Sequence, residues 1–119
     1  MVEHLMNYWS NGQKKIEYWW LKEKRHRIDG PAITEWFENG QLASEVWYLD
    51  GDRHRIDGPA FTTWFQNGQT NEEGWFLNGK LHRINGPAYK HWDENGELVY
   101  EYWFLNGKQQ KANHAEYGH

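Results

Sequence analysis

Three histidines, His26, His54 and His82, stand 28 residues apart. Imidazole is the commonest metal ligand and a frequent acid–base group, so such a ladder invites a metal or catalytic reading. Metal ligation needs convergence within ~4 Å. In a sheet whose equivalent positions are two strands apart, at ~4.8 Å per strand, the rings stand ~9–10 Å apart. The ladder therefore reads as histidines packed on a tryptophan column and bonded to backbone, and neither a metal nor a cofactor is expected. Arg27, Arg55 and Arg83 form a second ladder. Asp29 and Asp57 can pair with it locally, but Asn85 holds the third position, so the slot needs a short turn-capping side chain more than a charge. Glu17, Glu45, Glu73 and Glu101 form a third ladder. Acid–base catalysis uses a unique, asymmetric carboxylate pair, whereas repetition supplies copies. These carboxylates read as structural, with Arg, Thr or backbone partners. Serine occurs only at Ser10 and Ser44 and cysteine is absent. No phosphate-binding loop or nucleophile elbow occurs. No catalytic residue is expected, and the chain reads as a non-enzyme.

The ladders belong to a longer repeat. His26-Arg27-Ile28-Asp29-Gly30-Pro31-Ala32 returns as His54 to Ala60 and, with Asn at position 85, as His82 to Ala88. Asn-Gly keeps the same period at residues 11–12, 39–40, 67–68 and 95–96. So does a Glu-x-Trp-aromatic-Leu string starting at Glu17, Glu45, Glu73 and Glu101. Four units follow: a capping unit 1–28, then 29–56 and 57–84, and a degenerate unit 85–112, with a tail 113–119. Atypical end units are usual in arrays.

The turn chemistry makes the units β. Asn-Gly between alternating apolar segments signals a two-residue type I′ hairpin. A second turn follows each aromatic string at Asp50-Gly51, Asn78-Gly79 and Asn106-Gly107; Lys22-Glu23 fills that slot in the first unit, so its turn is expected to differ. Asp-Gly-Pro supplies a third turn. The three columns account for most glycines by turn conformation. Taking Asn39-Gly40 as loop sets Trp36 opposite Ala43, Thr34 opposite Glu45 and Ala32 opposite Trp47, and the next hairpin sets His54 opposite Trp47.

This register separates two faces. One is nearly constant, carrying the Trp, Glu and Leu columns. The other varies: Leu5, Ile33, Phe61 and Tyr89 in one column; Asn7, Glu35, Thr63 and His91 in another; Ile16, Ser44, Glu72 and Tyr100 in a third. Constant columns are expected to stack unit on unit, leaving the variable face for a partner. Its contact residues are expected to be Phe37, Phe65, Tyr89, His91, Tyr100 and Tyr102.

Composition agrees with a folded core built from aromatics. Leu, Ile, Val and Phe supply 21 of 119 residues, under the ~20% that often marks disorder. Yet 9 Trp and 7 Tyr are present, and each aromatic can bury ~150–250 Å². The formal net charge of −4 disfavours nucleic acid. The lack of a basic cluster disfavours an anionic membrane surface. No apolar run approaches the ~18 residues of a membrane span, and residues 1–11 lack a secretory pattern. The expected location is the cytosol.

The string from Trp75 to Ala88, followed by an aromatic strand and Asn95-Gly96, resembles a MORN-type repeat. It is longer than the common form and carries His-Arg-x-Asp/Asn-Gly-Pro-Ala where that form has His-Gly-x-Gly. It is similar to the variant MORN repeats of bacteria, phages and giant viruses, whose bacterial members include antitoxin-like proteins. The resemblance runs from about Tyr8 to about Lys108. It implies an all-β, elongated, single-layer antiparallel sheet of hairpins. It also implies a stoichiometric inhibitor, an antitoxin, immunity or phage anti-defence protein, acting in a bacterial or phage-infected cytosol. The alternatives are a homodimeric scaffold or membrane-surface module and a small-molecule-sequestering protein.

Overall fold

Asn39 and Gly40 do not close a two-residue turn. Only the glycine has positive φ, 90°. Gly40 N donates to Phe37 O at 3.0 Å and Phe37 N to Gln41 O at 2.8 Å. This is a three-residue loop, a type I turn ending in a left-handed glycine. Asn39 Oδ1 caps it by accepting from Gln41 N at 2.9 Å. The extra loop residue is balanced by a bulge, so Trp36 pairs with Leu42 instead of Ala43, while Thr34 still pairs with Glu45. Ala32 N bonds to Val46 O at 2.9 Å and Trp47 N to Ala60 O at 2.6 Å, which corrects the expected Ala32–Trp47 pairing. His54 N reaches Trp47 O at 3.0 Å, as expected.

The computed structural model describes residues 2–111; Ala112 and the tail 113–119 lie outside the described residues. The first hairpin is β1 (Glu3–Tyr8) with β2 (Lys14–Leu21), extended by β3 (Lys24–Arg25). The second is β4 (Ile33–Trp36) with β5 (Leu42–Val46), followed by the small pair β6 (Tyr48–Leu49) and β7 (Asp52–Arg53). The third is β8 (Phe61–Trp64) with β9 (Thr70–Gly74), followed by β10 (Phe76–Leu77) and β11 (Lys80–Leu81). The fourth is β12 (Tyr89–Trp92) with β13 (Leu98–Leu105), which also pairs with β14 (Lys108–Gln110). The main strands run antiparallel in the order β1-β2-β4-β5-β8-β9-β12-β13-β14. The sheet is open. The chain is thus all-β and mostly one antiparallel layer of hairpins.

The second set of turns is type I′ in every copy, including the first. Lys22 and Glu23 have φ of 49° and 70°, beside 50° and 86° for Asp50 and Gly51. Trp20 pairs with Arg25 and Leu21 with Lys24, so the expected departure does not occur. The right-handed twist of the flanking strands selects this turn. Gly51 N donates to Arg25 O at 2.9 Å, which holds the first turn in place. A non-glycine left-handed residue is strained by ~1–2 kcal/mol. Glu23→Gly is therefore expected to stabilise the protein by about 1 kcal/mol, measured as a raised urea midpoint.

The core is thin. Ala32, Ala60 and Ala88 are 0% exposed, Val46 7% and Ile33 9%, and no large side chain is fully buried among the described residues. Cohesion comes from junctions that recur between units. At the central one, Arg55 N bonds to Phe76 O at 3.1 Å and Gly79 N to Arg53 O at 2.8 Å. At the loop tips, Asn11 Nδ2 and Asn67 Nδ2 each donate to a backbone oxygen of the next unit, Glu38 O and Glu94 O, at 2.9 Å.

Candidate functional site

The recurring His-Arg motif is occupied with holding the sheet together. Nδ1 of His26, His54 and His82 accepts from the backbone N–H of Asp50, Asn78 and Asn106 at 3.0, 3.0 and 2.9 Å. The bond ties each unit to the next small hairpin. Arg27, Arg55 and Arg83 lie over Trp19, Trp47 and Trp75, 4.4, 4.0 and 4.0 Å from the ring centroids. Their Nη1 atoms donate to Pro31 O, Pro59 O and Pro87 O. A Cβ on Gly30, Gly58 or Gly86 would lie 2.9, 2.8 or 2.9 Å from the guanidinium carbon. These glycines make room for arginine and have no positive φ, which corrects their expected role as turn formers. Among the described residues no three His, Asp or Glu side chains are grouped to hold a metal.

The glutamate ladder lies in one row across the sheet. Glu17 faces Met6 and Thr34, Glu45 faces Thr34 and Thr62, and Glu73 faces Thr62 and Lys90. Glu17 Oε2 meets His4 Nε2 at 2.7 Å. Burial pushes the Glu45 carboxyl above its ordinary value of 4.5, and nearby Arg55 partly opposes this. A carboxyl raised on folding binds its proton more tightly in the native state. Its charge therefore opposes folding once pH rises through 4.5 and the raised value. Glu45→Gln is expected to raise the thermal midpoint at pH 7, with the gain vanishing below about pH 4. Melts across pH 3.5–7 check this.

The variable face is not uniformly open: Ile33 and Val46 on it are among the buried core residues, which corrects the expectation that the whole face is left for a partner. Arg53 lies 4.8 Å from the Phe61 ring centroid and 5.3 Å from that of Phe76. Phe76 closes over Gly74, where a Cβ would approach its ring within 2.9 Å. The centre of this face is thus covered by the small hairpins.

Four of the six expected contact residues meet beyond it. Tyr89 pairs with Tyr102 and His91 with Tyr100 across β12 and β13. Tyr100 lies 5.2 Å from Tyr102 and 5.1 Å from His91, and Tyr89 stacks on both tyrosines at 6.1 and 6.4 Å. Tyr100 and Tyr102 are 41% and 40% exposed. The Tyr89 hydroxyl donates to Glu72 Oε2. Burial first, then this bond, push the phenol above its ordinary value of 10. Glu72 also accepts from Thr63 Oγ1 at 3.2 Å, so it fixes the aromatic group from the adjacent hairpin.

Phe37 and Phe65 lie apart from that cluster, at the loop tips. With Trp64, Asn71 and Glu94 they line an open groove of about 470 Å³. Asn71 is the bulged residue of β9, between the Thr63–Glu72 and Trp64–Thr70 pairs. Its buried Oδ1 has no hydrogen-bond partner, and neither does the buried Nδ1 of His91. Sequence reasoning missed Asn71, because alternation cannot reveal a bulge that re-aims a side chain. It also missed Ile28, Ile56 and Ile84, which are 78%, 80% and 74% exposed within an otherwise structural motif. Their recurrence in one slot was the available signal.

No protein-family model, curated protein or solved structure matches the chain.

Proposed function

We propose that this chain is a MORN-like repeat module that acts by binding a protein stoichiometrically, without catalysing a reaction, as an inhibitor of the antitoxin, immunity or anti-defence kind. The carrying observation is the aromatic group Tyr89, His91, Tyr100 and Tyr102, exposed at its two β13 tyrosines and held by Glu72 beyond the covered centre of the face. Aromatic clusters dominate protein interface energetics. Two buried polar atoms without partners, His91 Nδ1 and Asn71 Oδ1, lie in the two proposed regions, as the indole nitrogens of Trp19 and Trp75 do outside them. A buried polar atom left unpaired costs ~1–3 kcal/mol, which side-chain adjustment on complex formation can recover.

The test is affinity capture from lysate of the source cell, with wild type and the Phe65→Asp/Tyr100→Asp variant side by side. One protein recovered near one-to-one, and lost with the variant while its circular dichroism and melt are kept, supports the reading. Recovery of vesicle lipid, of an absorbing small molecule or of the chain alone overturns it in favour of a membrane module, a sequestering protein or a self-assembling scaffold.

A further inference from the structure

Ile28, Ile56 and Ile84 occupy one slot of the recurring motif and are almost fully exposed. An aliphatic side chain so exposed gains little from folding. Between them lie two open, equivalent grooves. One, of about 520 Å³, is lined by Ile28, Ile56, Trp47 and Leu49. The next, of about 600 Å³, is lined by Ile56, Ile84, Trp75 and Leu77. Equivalent positions are two strands apart, so the grooves recur every ~9.6 Å.

That interval selects the form of an occupant. A polyproline II chain returns a side chain to the same side every third residue, after ~9.3 Å. A β-strand does so after ~6.8 Å. An α-helix needs seven residues, ~10.5 Å, and a trough as wide as its own ~10–12 Å body. Charge selects the end chemistry. In the first groove Asp29 and Asp57 neutralise Arg27 and Arg55, each at 3.2 Å. In the second, Asn85 stands where the carboxylate would be, so that motif gives Arg83 no counter-ion. We propose that this constant face binds a polyproline II peptide with an apolar side chain at every third residue and a carboxylate at the end lying over Arg83. Aromatic-lined grooves suit such chains, whose preformed helix loses little entropy on docking. This surface is separate from the Tyr89–Tyr102 cluster, and the two can fail independently.

The probe is a capped proline-rich decapeptide with leucine at every third position and glutamate at one end. The controls are a same-composition peptide with leucine at every second position and an alanine-based helix with leucine at every seventh. Methyl NMR of the full chain should show saturable shifts at Ile56 and Ile84 with the first peptide, tighter than with either control. Ile56→Asp, at the wall shared by both grooves, should weaken binding at least about tenfold with an unchanged melt. Asn85→Asp restores the residue type of the other two copies and should weaken binding about threefold at low salt. Absent saturation, equal or tighter binding of either control, or an unaffected Ile56→Asp overturns the proposal. An unaffected Asn85→Asp overturns its charge assignment.

Discussion

Arg55→Ala is expected to lower the unfolding free energy by about 2–3 kcal/mol. The guanidinium sits 4.0 Å from the Trp47 ring centroid, and a desolvated cation–π contact contributes ~1–2 kcal/mol. Its bond to Pro59 O at 3.2 Å adds ~1 kcal/mol. The side chain is only 27% exposed, so its methylenes also lose packing. Lysine is not expected to rescue it, because an ammonium cannot stack as a plane and reach Pro59 O together. Gly58→Ala tests the same sandwich from below. Its Cβ would lie 2.8 Å from the Arg55 guanidinium carbon, so the flexible guanidinium must shift on the ring, costing up to about 1 kcal/mol. Gly58 has no positive φ. In the Arg55→Ala background the same substitution should therefore become neutral or stabilising, by up to ~1 kcal/mol through unfolded-state entropy. Urea unfolding followed by tryptophan fluorescence measures all four corners of the cycle. Additive costs would show that arginine and glycine do not act through one contact.

Ala60→Leu carries the other large expected effect, a loss of about 3 kcal/mol. Ala60 is 0% exposed. Its backbone joins both neighbours, accepting from Trp47 N at 2.6 Å and donating to Gly74 O at 2.9 Å. Added methylenes at a fully covered position must displace their neighbours, and overpacking of this kind costs ~1–3 kcal/mol, occasionally more. The damage lies at the junction of the second and third units. Because each unit touches only its neighbours, unfolding should also lose cooperativity and separate into two phases. Ala60→Gly removes volume instead and should cost only about 1 kcal/mol with one transition retained. Calorimetry distinguishes the cases. A single unshifted transition for Ala60→Leu would show that this alanine does not hold the junction.

Much of the candidate site follows from alternation alone. Tyr89, His91, Tyr100 and Tyr102 sit on one face because the ladder between β12 and β13 keeps the pairing that the turn implies over those residues. Phe37 and Phe65 lie outside that group because each three-residue loop and its bulge end the regular alternation before the tip. Asn-Gly is compatible with a two-residue and a three-residue loop, and residue type does not choose between them. Lys22-Glu23 hides its turn for the opposite reason: local preference is against left-handed lysine and glutamate, and strand twist overrides it.

From residue types and spacing alone come the period, the all-β class, the two faces and the tie between the histidines and backbone. These depend on which turns Asn-Gly and Asp-Gly can make and on the two-residue period of a strand. Only the tertiary structure decides why Gly58 is glycine, because the arginine above it is positioned by a tryptophan on another strand. It likewise decides that Ile56 faces solvent between two grooves and that Asn71 points into the tip groove. Each depends on what neighbouring units leave covered, and burial is a property of the assembled sheet that no single unit's residues contain.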